Sequence, residues 1–224
     1  MKLHLLIVAG GSGQRMKTTQ PKQFLLLDGL PMLMRSIQAF TSCIKPDSIT
    51  IVLPENQIPE WQKHCMSYNF QEKHKTVSGG IERFFSVKKG LENLPDEGLV
   101  LIHDGVRPLV SEKTINNCIK IATHFGSAIP VVPPTESLRE LDEDGISRSV
   151  DRSRFQLVQT PQVFDLPLIK QAYTQEYSPL FTDDASVFES VGNKVKLVEG
   201  NPENIKITHP RDIAIAETLI QIMK

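Results

Sequence analysis

Runs of apolar residues alternate with amphipathic stretches along the first 132 residues of the chain. The runs have the length and the β-branched content of buried strands, and they cover residues 3–8, 48–53, 98–103 and 127–132. The stretches carry apolar residues on one face at helical spacing, and they cover residues 31–40, 59–68, 81–91 and 111–124. Continuously apolar strands that are separated by helices predict βαβ units and a parallel sheet.

This alternation predicts an α/β fold: a Rossmann-like, mostly parallel sheet flanked by helices, in one domain over residues 1–224. Ser111 is the expected N-cap of its helix. Pro130 predicts an edge or a bulge in the fourth strand, because proline cannot donate to a ladder. Ligands bind at the carboxyl ends of parallel strands, which here carry Ala9-Gly10-Gly11, Leu53-Pro54 and His103-Asp104.

A polar segment over residues 133–155 interrupts the pattern. Asp144-Gly145 lies between residues 138–141 and 146–150 and is a strong hairpin signal. A two-stranded hairpin with one thin apolar face is marginal alone, so it needs something to pack on. The sequence leaves two possibilities open: a small domain of its own, or an arm that reaches a second subunit.

The last third of the chain returns to α/β character. Helices are predicted over residues 165–173, from an N-cap at Thr182 to Val191, and over residues 212–223 after Pro210. Strands are predicted over residues 194–198 and 204–208.

Composition excludes several classes of protein. The 224 residues are 40% hydrophobic and 23% charged, with a formal net charge of −1. Such a chain is not disordered as a whole, and it lacks the basic excess typical of nucleic-acid binders. No apolar run approaches the roughly 18 residues of a membrane helix, so no membrane association is expected. The three cysteines are far apart, which predicts reduced thiols and a cytoplasmic protein.

The amino terminus has some features of a signal peptide. Its apolar stretch, Leu3 to Ala9, is however short, contains His4 and continues into glycines instead of a cleavage site. A buried first strand explains this apolar stretch better than a signal peptide does.

A glycine-rich turn follows that first strand. Gly10, Gly11 and Gly13 would let backbone amides approach a phosphate, and the cations Arg15 and Lys22 follow. The turn is not a P-loop, and it fits a dinucleotide site poorly because Met16 stands where glycine or alanine is needed. Two cations beside backbone amides suit a triphosphate, although a plain glycine turn with solvated charges would give the same spacing.

Six segments in order carry a family resemblance. They are Ala9 to Met16 with Pro21-Lys22, Ser78 to Val87, His103-Asp104-Gly105-Val106-Arg107-Pro108, Gln159 to Phe164, Thr182 to Ser186, and Asn204 to Thr208. Together they resemble the 2-C-methyl-D-erythritol 4-phosphate cytidylyltransferase family, among the nucleotidyltransferases of sugar and polyol phosphates. The resemblance implies a glycosyltransferase-A-like variant of the Rossmann-like fold.

The resemblance also implies a reaction, in which CTP and methylerythritol phosphate give a CDP-alcohol and pyrophosphate. The attacking phosphate is largely dianionic at neutral pH, because its second pKa is about 6, so no general base is required. The difficulty is to bring two anions together, which calls for positioning and for cations. The implied catalytic residues are therefore Arg15, Lys22 and Lys206.

Further roles follow from the same resemblance. The implied nucleotide-binding residues are Ala9, Gly10, Gly11, Gly13, Gly80, Ser86 and Asp104. The implied substrate-binding residues are Arg152, Thr182 and Arg107, of which Arg107 is also expected to brace the Asp104 loop. Asp104 is the carboxylate expected near Mg²⁺, which takes one or two carboxylates together with phosphate oxygens and water.

The resemblance implies a homodimer in which the 133–155 arm is exchanged, so that Arg152 completes the partner's site. One departure from the family is Ile81, which stands where a polar residue often occurs and puts a ribose or base contact in doubt.

Three other functions compete with the methylerythritol phosphate cytidylyltransferase activity: a ribitol 5-phosphate cytidylyltransferase, a nicotinamide-dependent oxidoreductase and a non-catalytic nucleotide-binding module. The double aspartate Asp183-Asp184 favours the methylerythritol enzyme over the ribitol enzyme.

Overall fold

The computed structural model describes residues 1–10, 16 and 20–223. The strands are β1 (Leu3–Val8), β2 (Leu26–Leu27), β3 (Leu30–Pro31), β4 (Ser48–Leu53), β5 (Lys75–Ser78), β6 (Leu99–Asp104), β7 (Ser127–Val132), β8 (Leu138–Leu141), β9 (Ser147–Val150), β10 (Leu157–Val158), β11 (Gln162–Asp165) and β12 (Leu197–Glu199). The helices are α1 (Met32–Thr41), α2 (Ile58–Ser67), α3 (Arg83–Glu92), α4 (Glu112–Phe125), α5 (Leu166–Ala172), α6 (Asp184–Ser190) and α7 (Pro210–Met223). No helix in these residues is both long and apolar enough to cross a bilayer.

The central sheet is mixed but mostly parallel, as the sequence predicts. Its eight strands in the described residues follow the order β5, β4, β1, β6, β11, β7, β10, and β12 also pairs with β7. The pairs within β5–β4–β1–β6 and the β7–β12 pair are parallel. Strand β11 runs antiparallel to both β6 and β7, so β6 and β7 share one direction. With helices packed on both faces of this sheet, the arrangement is the predicted Rossmann-like α/β fold.

Apolar side chains cover both faces of the sheet. In β1, Leu5 and Ile7 face a cluster that includes Phe40 of α1, Trp61 of α2 and Ile115 of α4. The alternate residues of β1 face the other cluster, which contains residues of α3, α5 and α6. A strand that is buried on both faces must be continuously apolar, which is the pattern seen in the sequence.

Pro130 does not lie at a sheet edge, because β7 has partners on both sides, but it lies opposite an interruption between β10 and β11. Val158 of β10 pairs with Val131, and Val163 of β11 pairs with Ala128. Between these two pairings β7 has two residues, Ile129 and Pro130, whereas the opposite segment has four, 159–162. The Pro130 carbonyl accepts a hydrogen bond from the Gln159 amide at 2.8 Å. The missing amide of proline therefore coincides with the irregular part of the ladder.

The 133–155 segment contains the predicted hairpin. Strands β8 and β9 pair with each other in a separate two-stranded sheet. Gly145 has a φ of +77°, the left-handed conformation that glycine adopts without strain. At the tip of the hairpin, Leu141 and Ile146 are exposed. The hairpin itself is confirmed, whereas its role as an arm that reaches a second subunit stays a prediction.

Two local predictions near the carboxyl terminus are wrong. Residues 204–208 form no strand: the burial of Ile207 against residues such as Leu27 and Met32 explains the apolar alternation without a ladder. Helix α6 is capped by Asp183 instead of Thr182, because the Asp183 carboxylate accepts the Ser186 amide in a capping box. Ser111 caps α4 as predicted.

Candidate active site

A cleft opens at the carboxyl ends of β1 and β6, where the sequence predicts a ligand site. Its volume is about 310 Å³. The residues that line it are Val8, Ala9, Gly10, Lys22, Gln23, Gly80, Ile81, Glu82, Arg83, Ser86, Asp104, Val106 and Lys206. Three of these side chains are cationic and two are carboxylates, so the cleft is locally positive in a chain whose net charge is −1. Such a cleft attracts anions.

Asp104 ends β6 and is nearly buried at the base of the cleft. Its Oδ2 lies 3.0 Å from Lys206 Nζ and 3.4 Å from Arg107 Nε, and its Oδ1 lies 3.7 Å from Arg83 Nε. Burial alone would raise the pKa of this carboxyl, but the three positive charges outweigh burial and hold it well below its usual range. Asp104 is therefore ionised wherever the protein is folded near neutral pH.

Lys206 is held between two buried neighbours. The Asn204 side chain donates to the Thr160 carbonyl at 2.8 Å, and the Asn204 carbonyl accepts from Arg107 Nη1 at 2.7 Å. On the other side, the Ile207 amide donates to the Val106 carbonyl. These anchors fix the backbone while the Lys206 side chain stays 41% exposed, so its amine can meet a ligand.

Lys22 reaches the same cleft from the opposite end of the chain. It begins a short 3₁₀ turn whose next two residues, Gln23 and Phe24, are buried. Phe24 stacks on Trp61 with ring centroids 6.1 Å apart, which fixes the turn on the core. The structure thus brings Lys22 and Lys206 to one anion-attracting cleft. The predicted residues Arg15, Gly11 and Gly13 lie outside the described residues.

Gly80 and Ser86 form one wall of the cleft. The Gly80 amide donates to Ser86 Oγ at 3.0 Å. A Cβ on Gly80 would lie 2.4 Å from Phe85 Cβ, so only glycine fits at this position. By contrast, a Cβ on Gly10 would make an ordinary 3.6 Å contact with Ser86 Oγ. The wall is therefore shaped by close packing that a side chain at position 80 would disrupt.

The main chain of Ala9 is partly committed to the fold. Its amide donates to the Val52 carbonyl at 2.9 Å, and its carbonyl accepts from Gln23 Nε2 at 2.9 Å. A carbonyl oxygen has two lone pairs, so the Ala9 carbonyl can still accept from a base, whereas its amide is already used. Contact between Ala9 and a pyrimidine remains a prediction.

Three predicted substrate residues lie outside the lining of the cleft. Arg107 is beneath Asp104 and braces its loop through the Asn204 carbonyl, as expected. Thr182 is exposed. Arg152 is exposed beside the arm, where it donates to the Thr135 carbonyl. Their contacts with substrate remain predictions.

Sequence reasoning missed Arg83, the first residue of α3. Its two terminal nitrogens each donate to an oxygen of Asp184 at 2.6 Å, and Asp184 is fully buried. The Tyr173 hydroxyl donates to the same carboxylate at 2.6 Å. A signal existed in the sequence: an arginine in the first turn of a helix opposes the helix dipole and therefore calls for an acidic partner.

His103 fixes the loop after β6 through both of its ring nitrogens. The Asp104 amide donates to Thr160 Oγ1 at 3.1 Å, and His103 ring nitrogens lie 2.9 Å from Thr160 Oγ1 and 2.9 Å from the Arg107 carbonyl. Because a carbonyl only accepts, Nε2 carries the proton and Nδ1 accepts from the hydroxyl. Burial lowers the pKa of His103 to about 4, so the ring is neutral at pH 7.

The described residues contain no cluster of three or more histidine, cysteine, aspartate or glutamate side chains that could hold a metal alone. A single carboxylate is nevertheless compatible with Mg²⁺, which keeps waters and takes substrate phosphates. Asp104 fits this role, because its carboxylate lines the cleft at the end of β6 and is held in the ionised form.

Comparison with known proteins agrees with this geometry. The sequence profile of IspD, 2-C-methyl-D-erythritol 4-phosphate cytidylyltransferase, matches residues 3–222. The chain belongs to this family. A relative from Phocaeicola vulgatus is 49% identical over 220 residues, which cover 98% of this chain and all of that protein. A relative from Clostridium acetobutylicum is 42% identical over 96% of both chains. Both carry the name of this cytidylyltransferase.

Solved structures of family members have the same fold. The 4-diphosphocytidyl-2C-methyl-D-erythritol synthase of Anaerococcus prevotii superposes with a TM-score of 0.83 at 28% identity, covering 98% of this chain and 96% of that one. The bifunctional IspDF of Campylobacter jejuni superposes with a TM-score of 0.81 at 26% identity, covering 96% of this chain and 54% of that one.

Proposed function

We propose that the chain transfers the cytidylyl group of CTP to 2-C-methyl-D-erythritol 4-phosphate, giving 4-diphosphocytidyl-2-C-methyl-D-erythritol and pyrophosphate for isoprenoid precursor synthesis. Family membership over almost the whole chain supports the substrates. The observation that carries the chemistry is the presence of Lys22 and Lys206 in one locally positive cleft.

The cationic side chains supply what the reaction lacks in water. A phosphate oxygen of the acceptor attacks the α-phosphorus of CTP in line, the new P–O bond forms, and the bond to pyrophosphate breaks. Both reactants are anionic, so fixed ammonium groups lower the barrier by stabilising the charge that shifts to the leaving group. In this proposal Lys22 faces the α-phosphate and the pyrophosphate, and Lys206 faces the attacking phosphate and the α-phosphate. Arg15 assists Lys22.

Asp104 is the proposed carboxylate for Mg²⁺. When bound, the ion would neutralise phosphate charge and help to orient the triphosphate. The surrounding side chains Lys206, Arg83 and Arg107 keep Asp104 ionised, which is the form that a metal requires.

Pyrophosphate release tests the proposed function directly. The complete assay contains CTP, magnesium and methylerythritol phosphate, and each component is then left out in turn. We expect release only in the complete mixture, and UTP and ATP replace CTP in parallel to measure how strictly the base is selected. Ribitol 5-phosphate is tested in parallel as the acceptor. Turnover with ribitol phosphate and none with methylerythritol phosphate would overturn the assignment of the acceptor.

A homodimer with exchanged arms is the proposed assembly. In support, Leu141 and Ile146 are exposed at the hairpin tip, and Arg152 lies beside the arm and outside the cleft of its own chain. In this proposal, Arg152 and Thr182 bind the acceptor phosphate, with Arg152 supplied by the partner.

Complementation between two inactive variants tests arm exchange. Lys206→Ala and Arg152→Ala chains are co-expressed with different tags, and mixed dimers are purified. If the arm is exchanged, one site of each mixed dimer has both wild-type residues, and activity returns. If Arg152 serves its own chain, every site carries a lesion and the mixed dimer stays inactive. Arg154→Ala, in the same exposed turn, is the matched control and should be fully active.

A further inference from the structure

Arg83 lines the cleft and connects its Gly80 wall to a segment that is far away in sequence. It begins α3, directly after the Gly80 wall, and its carboxylate partner Asp184 begins α6, directly after the 182–183 segment. Both terminal guanidinium nitrogens are used by Asp184, at 2.6 Å each. The remaining nitrogen, Nε, lies on the side of Asp104, 3.7 Å from Oδ1.

The guanidinium is fixed in this orientation by buried groups. Asp184 is fully buried and also accepts from the Tyr173 hydroxyl. Tyr173 in turn stacks on Phe84, the residue after Arg83, with ring centroids 4.8 Å apart. A planar guanidinium held by two parallel hydrogen bonds has little freedom to rotate, so its third nitrogen keeps its direction.

The two oxygens of Asp104 therefore face different cations. Oδ2 meets Lys206 and Arg107, while Oδ1 meets Arg83. Lys206 is the most exposed of the three side chains and is the proposed catalytic cation. When Lys206 shares its charge with a phosphate, Asp104 needs other positive charges nearby, because an uncompensated buried carboxylate is costly.

We propose that Arg83 is a positioning residue, held by Asp184 and Tyr173, that compensates Asp104 from the Oδ1 side and so releases Lys206 to bind the reacting phosphates. This proposal rests on the proposed function. Without Arg83, the ion pair between Asp104 and Lys206 is stronger, and the Lys206 ammonium is less available to the reacting phosphates. The role of Arg83 is thus exerted through Asp104 and not by contact with the substrate.

A double-mutant cycle between Arg83 and Asp104 tests the proposal. Arg83→Gln, Asp104→Asn and the double variant are compared with wild type for kcat/KM and, by calorimetry, for the binding of CTP alone. In the wild-type background, we expect Arg83→Gln to lower kcat/KM by about tenfold or more, a normal coupling within one charge network. With Asp104→Asn there is no carboxylate to compensate, so adding Arg83→Gln should lower kcat/KM by less than about twofold.

The alternatives give different results. If Arg83 binds substrate directly, or only stabilises the fold, its loss has the same effect on kcat/KM in both backgrounds, and the proposal fails. Tyr173→Phe is the second variant if Arg83→Gln is poorly folded, because it keeps the packing and removes one hydrogen-bond donor to Asp184. In the wild-type background Tyr173→Phe should lower kcat/KM. When it is combined with Asp104→Asn, kcat/KM should equal that of Asp104→Asn alone. Absence of CTP-dependent turnover in wild type would refute the proposed function instead, which separates the two failures.

Discussion

Replacing Gly80 with alanine is the sharpest steric test of the cleft. The new methyl carbon would lie 2.4 Å from Phe85 Cβ and 3.2 Å from the Phe85 carbonyl carbon. Ordinary carbon–carbon contact is about 3.5 Å or more, so the two segments must separate by about 1 Å. Neither contact involves the end of a flexible side chain, so the backbone of the Gly80 wall has to move.

The expected loss follows from that displacement. Moving a binding group by about 1 Å can cost about a hundredfold in rate, and overpacking costs about 1–3 kcal/mol in the free energy of unfolding. We expect Gly80→Ala to lower kcat/KM for CTP by about a hundredfold and to reduce the unfolding free energy measured in urea. Steady-state pyrophosphate release gives the first quantity.

Gly10→Ala is the matched control for the packing of the folded protein. Its methyl group would contact Ser86 Oγ at 3.6 Å, an ordinary distance, so the free energy of unfolding should change little. If Gly80→Ala retains wild-type kcat/KM and stability, then the tight packing of the Gly80 wall does not shape the nucleotide site. Equal losses of stability in the two variants would also contradict the steric argument.

Two further predictions concern charge. Lys22→Ala and Lys206→Ala should each lower kcat by about a hundredfold or more, which is the scale of losing one group that stabilises the transition state. The control Lys113→Ala changes an exposed lysine outside the cleft and should leave kcat unchanged. Wild-type turnover in both cleft variants would refute the roles of Lys22 and Lys206. Burial lowers the pKa of His103 from 6.5 to about 4 in the folded protein. Between these pH values the imidazole is protonated in the unfolded chain but neutral in the folded protein. The free energy of unfolding should therefore fall as the pH drops from 6.5 to 4, by at most about 3 kcal/mol. Urea titrations across this range measure the slope, which should flatten in His103→Gln; an unchanged slope would show that the His103 ring is not the group that titrates.

The parallel half of the sheet could be predicted because its strands are buried on both faces. Leu3–Val8, Ser48–Leu53 and Leu99–Asp104 are therefore mostly apolar with few polar interruptions, and that pattern is visible in the sequence. Strand β5, Lys75–Ser78, was missed because it is short and lies at the edge of the sheet, where burial is partial. Strand β11 was missed because it follows Pro161 and lasts four residues.

The alternation of apolar and polar residues over positions 204–208 predicts a strand that the structure does not contain. Ile205 and Ile207 alternate with polar residues as in a strand, but they pack against residues of α7 and the β2–β3 ribbon. Burial of a loop produces the same period as a strand, and only long-range contacts separate the two cases.

Within the site, motifs predicted the residues that share a cleft but not the network beneath them. Lys22, Gly80, Ser86, Asp104 and Lys206 all line it. The pairing of Arg83 with Asp184 spans 101 positions, so no local pattern contains it. Only the fold brings α3 and α6 together at their first residues.

A crystal structure of the protein with CTP and magnesium would show whether Lys22 and Lys206 meet the reacting phosphates. We predict phosphate oxygens within hydrogen-bonding distance, about 2.7–3.2 Å, of the amines of both Lys22 and Lys206, with the base against Gly80 and Ser86. A triphosphate bound outside this cleft, or one that neither amine approaches, would contradict it.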